Sequence, residues 1–303
     1  MIAYRLRAGI AAALALLQPL GAAALEARAP RHAPAVRPAV WQVRGPHATL
    51  WLFGTIHALP PHFEWQTPAL RQIIARADRL VLEAVIDRDD PRSAQALMRL
   101  GTAAHPLPPI TERVPVRLRP RLVTMAGKAG VPVALLDRLK TWAAAMVLFG
   151  VTVNGLGVSG DNGVEEQLKA SFRAAGKPVE GLETLDQQLG FFDTLDEGEQ
   201  RDFLVSVVDG KDDDAADFGR MLGAWSHGDE RAIRASFDKD MKADGALRKV
   251  LIARRNARWA QLIAARLKQS GTGLLAVGAG HLVGPDSVQA MLLRLGYRAR
   301  RVQ

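Results

Sequence analysis

The chain contains no cysteine. That absence removes disulfide bridges, thiolate nucleophiles and cysteine metal ligands together, and with them any lipid anchor attached through a cysteine. Three catalytic signatures are missing as well: HExxH, the Walker A loop and the G-x-S-x-G elbow. The glycines at Gly155, Gly157 and Gly160 follow no convincing strand, so they do not read as a dinucleotide-binding turn. Beyond the N-terminal segment no apolar run is long enough for a bilayer. Trp142 to Val153, the most apolar stretch, is only about a dozen residues and reads as a buried helix.

The residues that are present suffice for a packed fold. The 303 residues are 48% hydrophobic, which excludes disorder of the whole chain. Arg5 and Arg7 precede an apolar run from Ala8 to Leu17, then Gln18-Pro19 and the small residues Gly21 to Ala24. This layout predicts a signal peptide over residues 1–24, cleaved near Ala24, and a periplasmic or secreted protein; an uncleaved anchor is the competing reading. Residues 25–37, rich in Ala, Pro and Arg, read as a flexible tail. No linker divides the remainder of the chain, so residues 38–303 are expected to form one domain.

Net charge is +9, and +7 once Arg5 and Arg7 are removed. The charge reads as scattered, densest at Arg113, Arg117, Arg119 and Arg121. No aromatic residue is interleaved there, so the cluster reads as a solvated face and no nucleic-acid partner is expected. Attraction to an anionic envelope surface stays open, although the signal peptide is the membrane contact expected. Oligomeric state is not written in the sequence.

Strands alternate with helices along the chain, which argues α/β with a mixed sheet flanked by helices. Val40–Val43 and Ala48–Phe53 read as a hairpin, followed by a helix over Pro68–Arg76 and a strand over Leu80–Ile86. Helical spacing covers Ser93–Leu100 and Pro120–Ala129, and Val131–Leu135 is a short strand candidate. After the glycine-rich turn Gly155–Gly163 come a helix over Glu165–Ala175 and a strand over Pro178–Leu182 that delivers Glu183. Thr194 and Glu197 have the spacing of a capping box before a helix over Gln200–Val208. The aspartates of Asp209–Asp217 lack the spacing of an EF-hand and read as a solvated linker or helix start. Helices over Glu230–Phe237, Ala246–Gln269 and Asp286–Leu295, with strands over Leu274–Val277 and Tyr297–Val302, complete the pattern.

The chemistry concentrates in a device that occurs twice. Gly54-Thr55-Ile56-His57 and Gly278-Ala279-Gly280-His281 each end an apolar strand with Gly-x-x-His. Gly54, Gly278 and Gly280 permit close backbone approach, and strand ends of an open α/β sheet are where ligands collect. His57 and His281 are therefore candidate metal ligands, against the bland reading of two hydrogen-bonded structural histidines. Glu83 sits inside the apolar strand LVLEAVI, where a carboxylate must be paired, metal-bound or hydrogen-bonded. It is a candidate third ligand or general base, or the partner of a buried arginine. On a helical wheel Arg255 and Asn256 fall on the apolar face of their helix, from which they could pair with Glu83, hold an anionic substrate group or stabilise an oxyanion.

Five segments in order, WLFGTIHALP at Trp51 to Pro60, LVLEAVI with Glu83, GVEEQLKASFRAAGKPVEGLET at Gly163 to Thr184, ARRNARWA at Ala253 to Ala260 and AVGAGHLVG at Ala276 to Gly284, resemble the TraB/GumN family, which includes the Tiki proteases. The resemblance spans nearly all of residues 38–303. It implies an α/β fold shared with erythromycin esterase-like and ChaN-like proteins, and a site built from the two histidines, the strand glutamate and the Arg255-Asn256 pair. It further implies a divalent metal ion, manganese, cobalt or zinc, and peptidase activity. The family often has aspartate where Glu165 stands, which leaves the role of that position open.

Three functions stand as expectations. The first is a periplasmic metal-dependent hydrolase, a peptidase acting on an envelope substrate, with His57, His281 and Glu83 around the ion. The second is a metal-free, esterase-like hydrolase with a histidine base. The third is a non-catalytic binding protein for haem or a polymer. No organic cofactor is expected for the hydrolase readings.

Overall fold

The computed structural model describes residues 36–87, 90–210, 214–241 and 245–303. The expected signal segment and most of the tail lie outside the described residues, as do Asp212 and Asp213 of the aspartate run.

Six strands form one sheet: β1 (Val40–Arg44), β2 (Ala48–Thr55), β3 (Arg79–Ala84), β4 (Val179–Glu183), β5 (Gly271–Gly278) and β6 (Ala299–Arg301), in the order β4-β3-β5-β2-β1-β6. β4, β3, β5 and β2 are mutually parallel, while β1 runs against both β2 and β6. The continuous apolar runs of β2 and β5 belong in the parallel interior, where both faces of a strand are covered. β5 enters between β2 and β3, which precede it in the chain, so the carboxyl ends of four neighbouring parallel strands open on one edge. That edge is where an open α/β sheet offers a crevice.

The two faces are covered unequally. On one, helices Arg254–Leu267 and Val288–Arg294 press Trp259, Ile263, Leu267, Val288 and Leu292 against Trp41, Val43, Leu52, Leu275 and Val277. On the other lies the larger core, with Phe53, Trp65, Trp142, Phe192, Phe203 and Trp225 among its members. The helix Thr141–Asn154 packs into this core through Trp142, Ala143, Met146, Phe149 and Val153, as the apolar stretch Trp142 to Val153 predicts. Among the described residues no helix is long and apolar enough to cross a membrane.

Four local expectations need correction. Val131–Leu135 is not a strand: Gly130, at φ +65°, ends the preceding helix, and Pro132 opens a new one over Val133–Asp137. The capping box lies two residues later than the Thr194/Glu197 spacing suggests. Asp196 accepts from the Glu199 N–H and Glu199 from the Asp196 N–H, while the Thr194 hydroxyl donates to the Phe191 carbonyl and closes the previous helix. The long helix over Ala246–Gln269 is interrupted by a π turn at Lys249–Ala253 and ends at Leu267. Arg113 is no part of a solvated face: it is 2% exposed, with three backbone carbonyls, of Pro108, Asp137 and Leu139, accepting from its guanidinium at 2.7 to 2.8 Å. Arg117 and Arg121 do lie on the surface.

Candidate functional site

Each of the four parallel strands delivers one chemical group at its carboxyl end: β2 leads to His57, β3 carries Glu83, β4 ends in Glu183 and β5 leads to His281. Thr55 pairs with Gly278 in the β2–β5 register, so the two histidines leave adjacent strand ends. Their close packing depends on small residues. A Cβ on Gly54 would crowd Ala279, and one on Gly280 would enter the Phe237 ring.

The first half of the site is His57 with Glu165. Nδ1 of His57 lies 2.6 Å from Oε1 of Glu165, and the Thr55 hydroxyl donates to the same oxygen. Glu165 stands in the first turn of the helix Val164–Ala174, where the helix dipole favours a carboxylate. Burial alone would push Glu165 up, but the His57 charge and the bonds from His57 and Thr55 bring it below the usual carboxylate range. The Val164 N–H donates to the Ile56 carbonyl, and a Cβ on Gly163 would collide with the carbonyl oxygen of His57. The glycine-rich turn is thus the clamp that seats this helix against the β2 end. The side chains of His57 and Glu165 keep 14% and 16% exposure, so this half reaches toward the surface, while Nε2 of His57 is itself buried.

The second half is closed. Arg255 and Glu83 retain 5% and 9% side-chain exposure, His281 3% and Glu183 none. The Arg255 guanidinium has five N–H groups, and the contacts account for all of them. Nε and Nη2 donate to Glu183, Nη2 also to Glu83 at 2.6 Å, and Nη1 to the Leu251 carbonyl and toward Nε2 of His281 at 3.4 Å. Trp259 donates its indole N–H to Glu183 at 2.8 Å, and its ring lies 4.6 Å from the guanidinium. Glu83 is engaged at both oxygens, Oε1 by the Gly278 N–H at 2.7 Å and Oε2 by Arg255. Asn256 is likewise saturated: Nδ2 donates to the carbonyls of His281 and Asp286, and Oδ1 accepts from Nδ1 of His281 at 2.6 Å.

That amide fixes the His281 tautomer, with the proton on Nδ1 and the lone pair on Nε2. Burial drives the His281 pKa down to about 3, against the pull of Glu83, so the ring is neutral. For Glu83 burial pushes upward, but Arg255, His281, His57 and the Gly278 N–H together hold it at about 2. Arg255 is lowered by burial and raised by Glu83 and Glu183, with a net upward shift. His57 acts electrostatically on both Glu83 and His281, which joins the two halves into one site.

Sequence reasoning placed His57, Glu83, Arg255, Asn256 and His281 as candidates, and the fold brings all five to one sheet edge. It did not single out Glu183, Trp259 or the Thr55–Glu165 contact. Glu183 carries no signal like that of Glu83 in the sequence, because β4, VEGLE, is not an apolar run and holds a second glutamate, Glu180, that is only half-buried. A divalent ion suits only part of this donor set. The two histidines fit, each with Nδ1 held by a side-chain acceptor, the arrangement that presents Nε2 to a metal. Glu83 does not, because Arg255 and Gly278 hold its oxygens and a guanidinium beside His281 repels a cation. Among the described residues no group of three or more His, Asp or Glu side chains is disposed to hold a metal ion.

The fold and site define an α/β protein with a polar centre, formed by two histidines and buried carboxylates, at the carboxyl edge of a mostly parallel sheet. The chain belongs to the TraB/PrgY/gumN family, whose model matches residues 39–301. It is similar to a protein of Treponema pallidum (strain Nichols) described as uncharacterized, with 24% identity over 272 residues covering 82% of this chain and 78% of the relative. No solved structure matches it.

Proposed function

We propose that the chain is a hydrolase of carbonyl substrates, esters or peptides, in which His57 is the general base and Glu165 its orienting carboxylate. The observation that carries this reading is the 2.6 Å contact between His57 Nδ1 and Glu165 Oε1, in the less enclosed half of the site; Nε2 is buried, so substrate and water must enter beside it. In its neutral form, with the Nδ1 proton directed at Glu165, the ring carries its lone pair on Nε2. That nitrogen takes a proton from water as water attacks the carbonyl, Glu165 stabilises the imidazolium that forms, and the imidazolium returns the proton to the leaving alcohol or amine as the C–O or C–N bond breaks. Glu83, at about 2, is too weak a base for this step at neutral pH. Arg255, Asn256 and Glu83 act as positioning residues, since their polar atoms are engaged with one another and with His281. The signal-like N-terminal sequence supports a reaction in the periplasm or outside the cell.

A metal-dependent peptidase is the second reading, favoured by the shared Nδ1-held state of the two histidines; it needs Glu83 to leave Arg255. One experiment separates the two. Hydrolysis of a panel of p-nitrophenyl esters and fluorogenic peptides is measured on protein dialysed against chelator, beside His57→Ala. The metal-free reading expects full turnover after chelation and a loss of about 10² to 10⁴-fold in His57→Ala. Activity lost to chelator and restored by manganese, cobalt or zinc overturns it in favour of the metal reading.

A further inference from the structure

The charge that reads as scattered in sequence is segregated in the fold. Residues 245–303 hold 11 Lys and Arg against one acidic residue, Asp286, whereas residues 36–244 hold 25 against 29. The first of these segments supplies both helices of the smaller core, together with the central strand β5 and the edge strand β6. Four of the eleven, Arg248, Arg255, Arg266 and Arg301, are paired with carboxylates of the rest of the domain, and the others leave a cationic excess on this segment.

The helix Arg254–Leu267 shows how the charge is presented. Its inward side carries Arg255, Asn256, Trp259, Ile263 and Leu267, all buried. The opposite side exposes Arg254, Ala257, Arg258, Gln261 and Ala265, continued by Lys268. At 100° per residue these six fall on one stripe, which contains no acid. Among the described residues none of Arg254, Arg258 and Lys268 forms a salt bridge, in contrast to Arg79, Arg99, Arg117, Lys140 and Arg201, each paired with a carboxylate. The adjoining helix exposes Arg294 beside Leu293, 57% exposed, and Leu295, 36% exposed, and the strand segment after it exposes Arg298 and Arg300.

We infer that this layer is a docking surface for an anionic lipid bilayer. Unpaired arginines gain from a field of lipid phosphates, at a strength that accumulates per residue near the surface. The exposed leucines beside them favour a bilayer over a purely polar polyanion, because they have an apolar phase to enter. No aromatic side chain is exposed on the helix stripe to stack with bases, which argues against single-stranded nucleic acid. The surface shares a helix with the site, since Arg254 and Arg258 face outward where Arg255 faces Glu83 and Glu183.

The test is co-sedimentation of the full chain with phosphatidylcholine vesicles containing 0 or about 30 mol% phosphatidylglycerol, at low and high salt. The neutral vesicles report any contribution of the apolar N-terminal segment. Binding that requires phosphatidylglycerol, weakens at high salt and falls about tenfold or more in R254E/R258E/R294E supports the assignment, with unchanged thermal unfolding showing that the variant folds. If the triple variant fails to fold, single reversals R254E and R258E serve, each expected to weaken binding several-fold. Equal partition into neutral and anionic vesicles, or no effect of the reversals in folded protein, overturns it. So does competition by duplex DNA at equal charge concentration that removes the protein from the vesicles, which would make the surface a nucleic-acid one.

Discussion

The two halves of the site have similar components and opposite designs. His57 has Glu165 as its carboxylate partner, a partly exposed ring whose Nε2 is buried, and a strand end clamped by the Gly163 turn. His281 has an amide partner, near-complete burial and a lattice of contacts through Arg255, Glu83 and Glu183. A group that must exchange a proton with substrate needs access and a partner able to stabilise its charged form. A group that fixes geometry needs burial and saturated bonds. The comparison assigns chemistry to the first half and rigidity to the second.

The sharpest way to break the contrast is Arg255→Ala. Removing the guanidinium leaves Glu83 and Glu183 buried without their cation, and is expected to cost about 3 to 5 kcal/mol in chemical denaturation. A loss under about 1 kcal/mol would mean that the buried half does not hold the fold. Acid titration probes the same half. His281 falls from 6.5 to about 3 on folding, so the unfolded chain takes up its proton first as pH drops, and stability is lost from about pH 6.5 downward. Glu83 falls from 4.5 to about 2, so its contribution is present above 4.5 and lost as pH approaches 2. The combined loss should be on the order of a few kcal/mol by pH 4, measured by urea unfolding across pH. His281→Asn should move the onset from near 6.5 to near 4.5.

The open half should respond in activity more than in stability. Gly163→Ala forces a Cβ against the His57 carbonyl and is expected to cost about 1 to 3 kcal/mol, with a drop in kcat because the Glu165 helix must shift. Glu165→Gln keeps the size and removes the charge that stabilises the imidazolium; kcat should fall about ten- to a hundredfold while the melting temperature changes by a few degrees at most. If Glu165→Gln destabilises the protein as much as Arg255→Ala does, the division between the halves fails.

The ends of β2 and β5 were legible in the sequence because these interior strands are apolar and glycines mark where they stop; β3 stops at Ala84, two residues short of the expected Ile86, and β6 covers only Ala299–Arg301. Pro68–Arg76 coincides with its helix, since Thr67 caps it and proline opens it. Short elements were less legible. Val131–Leu135 has strand-like residues, but without a neighbouring strand Pro132 and the following turn decide for helix. Arg113 looked like its surface neighbours because no local pattern records carbonyls converging from Pro108 and from the helix end and turn at Asp137 and Leu139. The helical wheel turned Arg255 and Asn256 inward, as they are in the fold, but a wheel cannot say what waits inside.

What the sequence by itself determined was the α/β alternation, the paired Gly-x-x-His ends and the five candidate side chains, which rest on periodicity and local chemistry, and the family, which rests on the resemblance of five ordered segments. Only the tertiary structure decided that β5 inserts between β2 and β3, so that histidines over two hundred residues apart leave adjacent strands. It also decided which carboxylate serves which histidine. Glu83 and Glu165 are both glutamates near a Gly-x-x-His strand, and the difference between a locked partner and a working one lies in burial and in the number of donors that surround each.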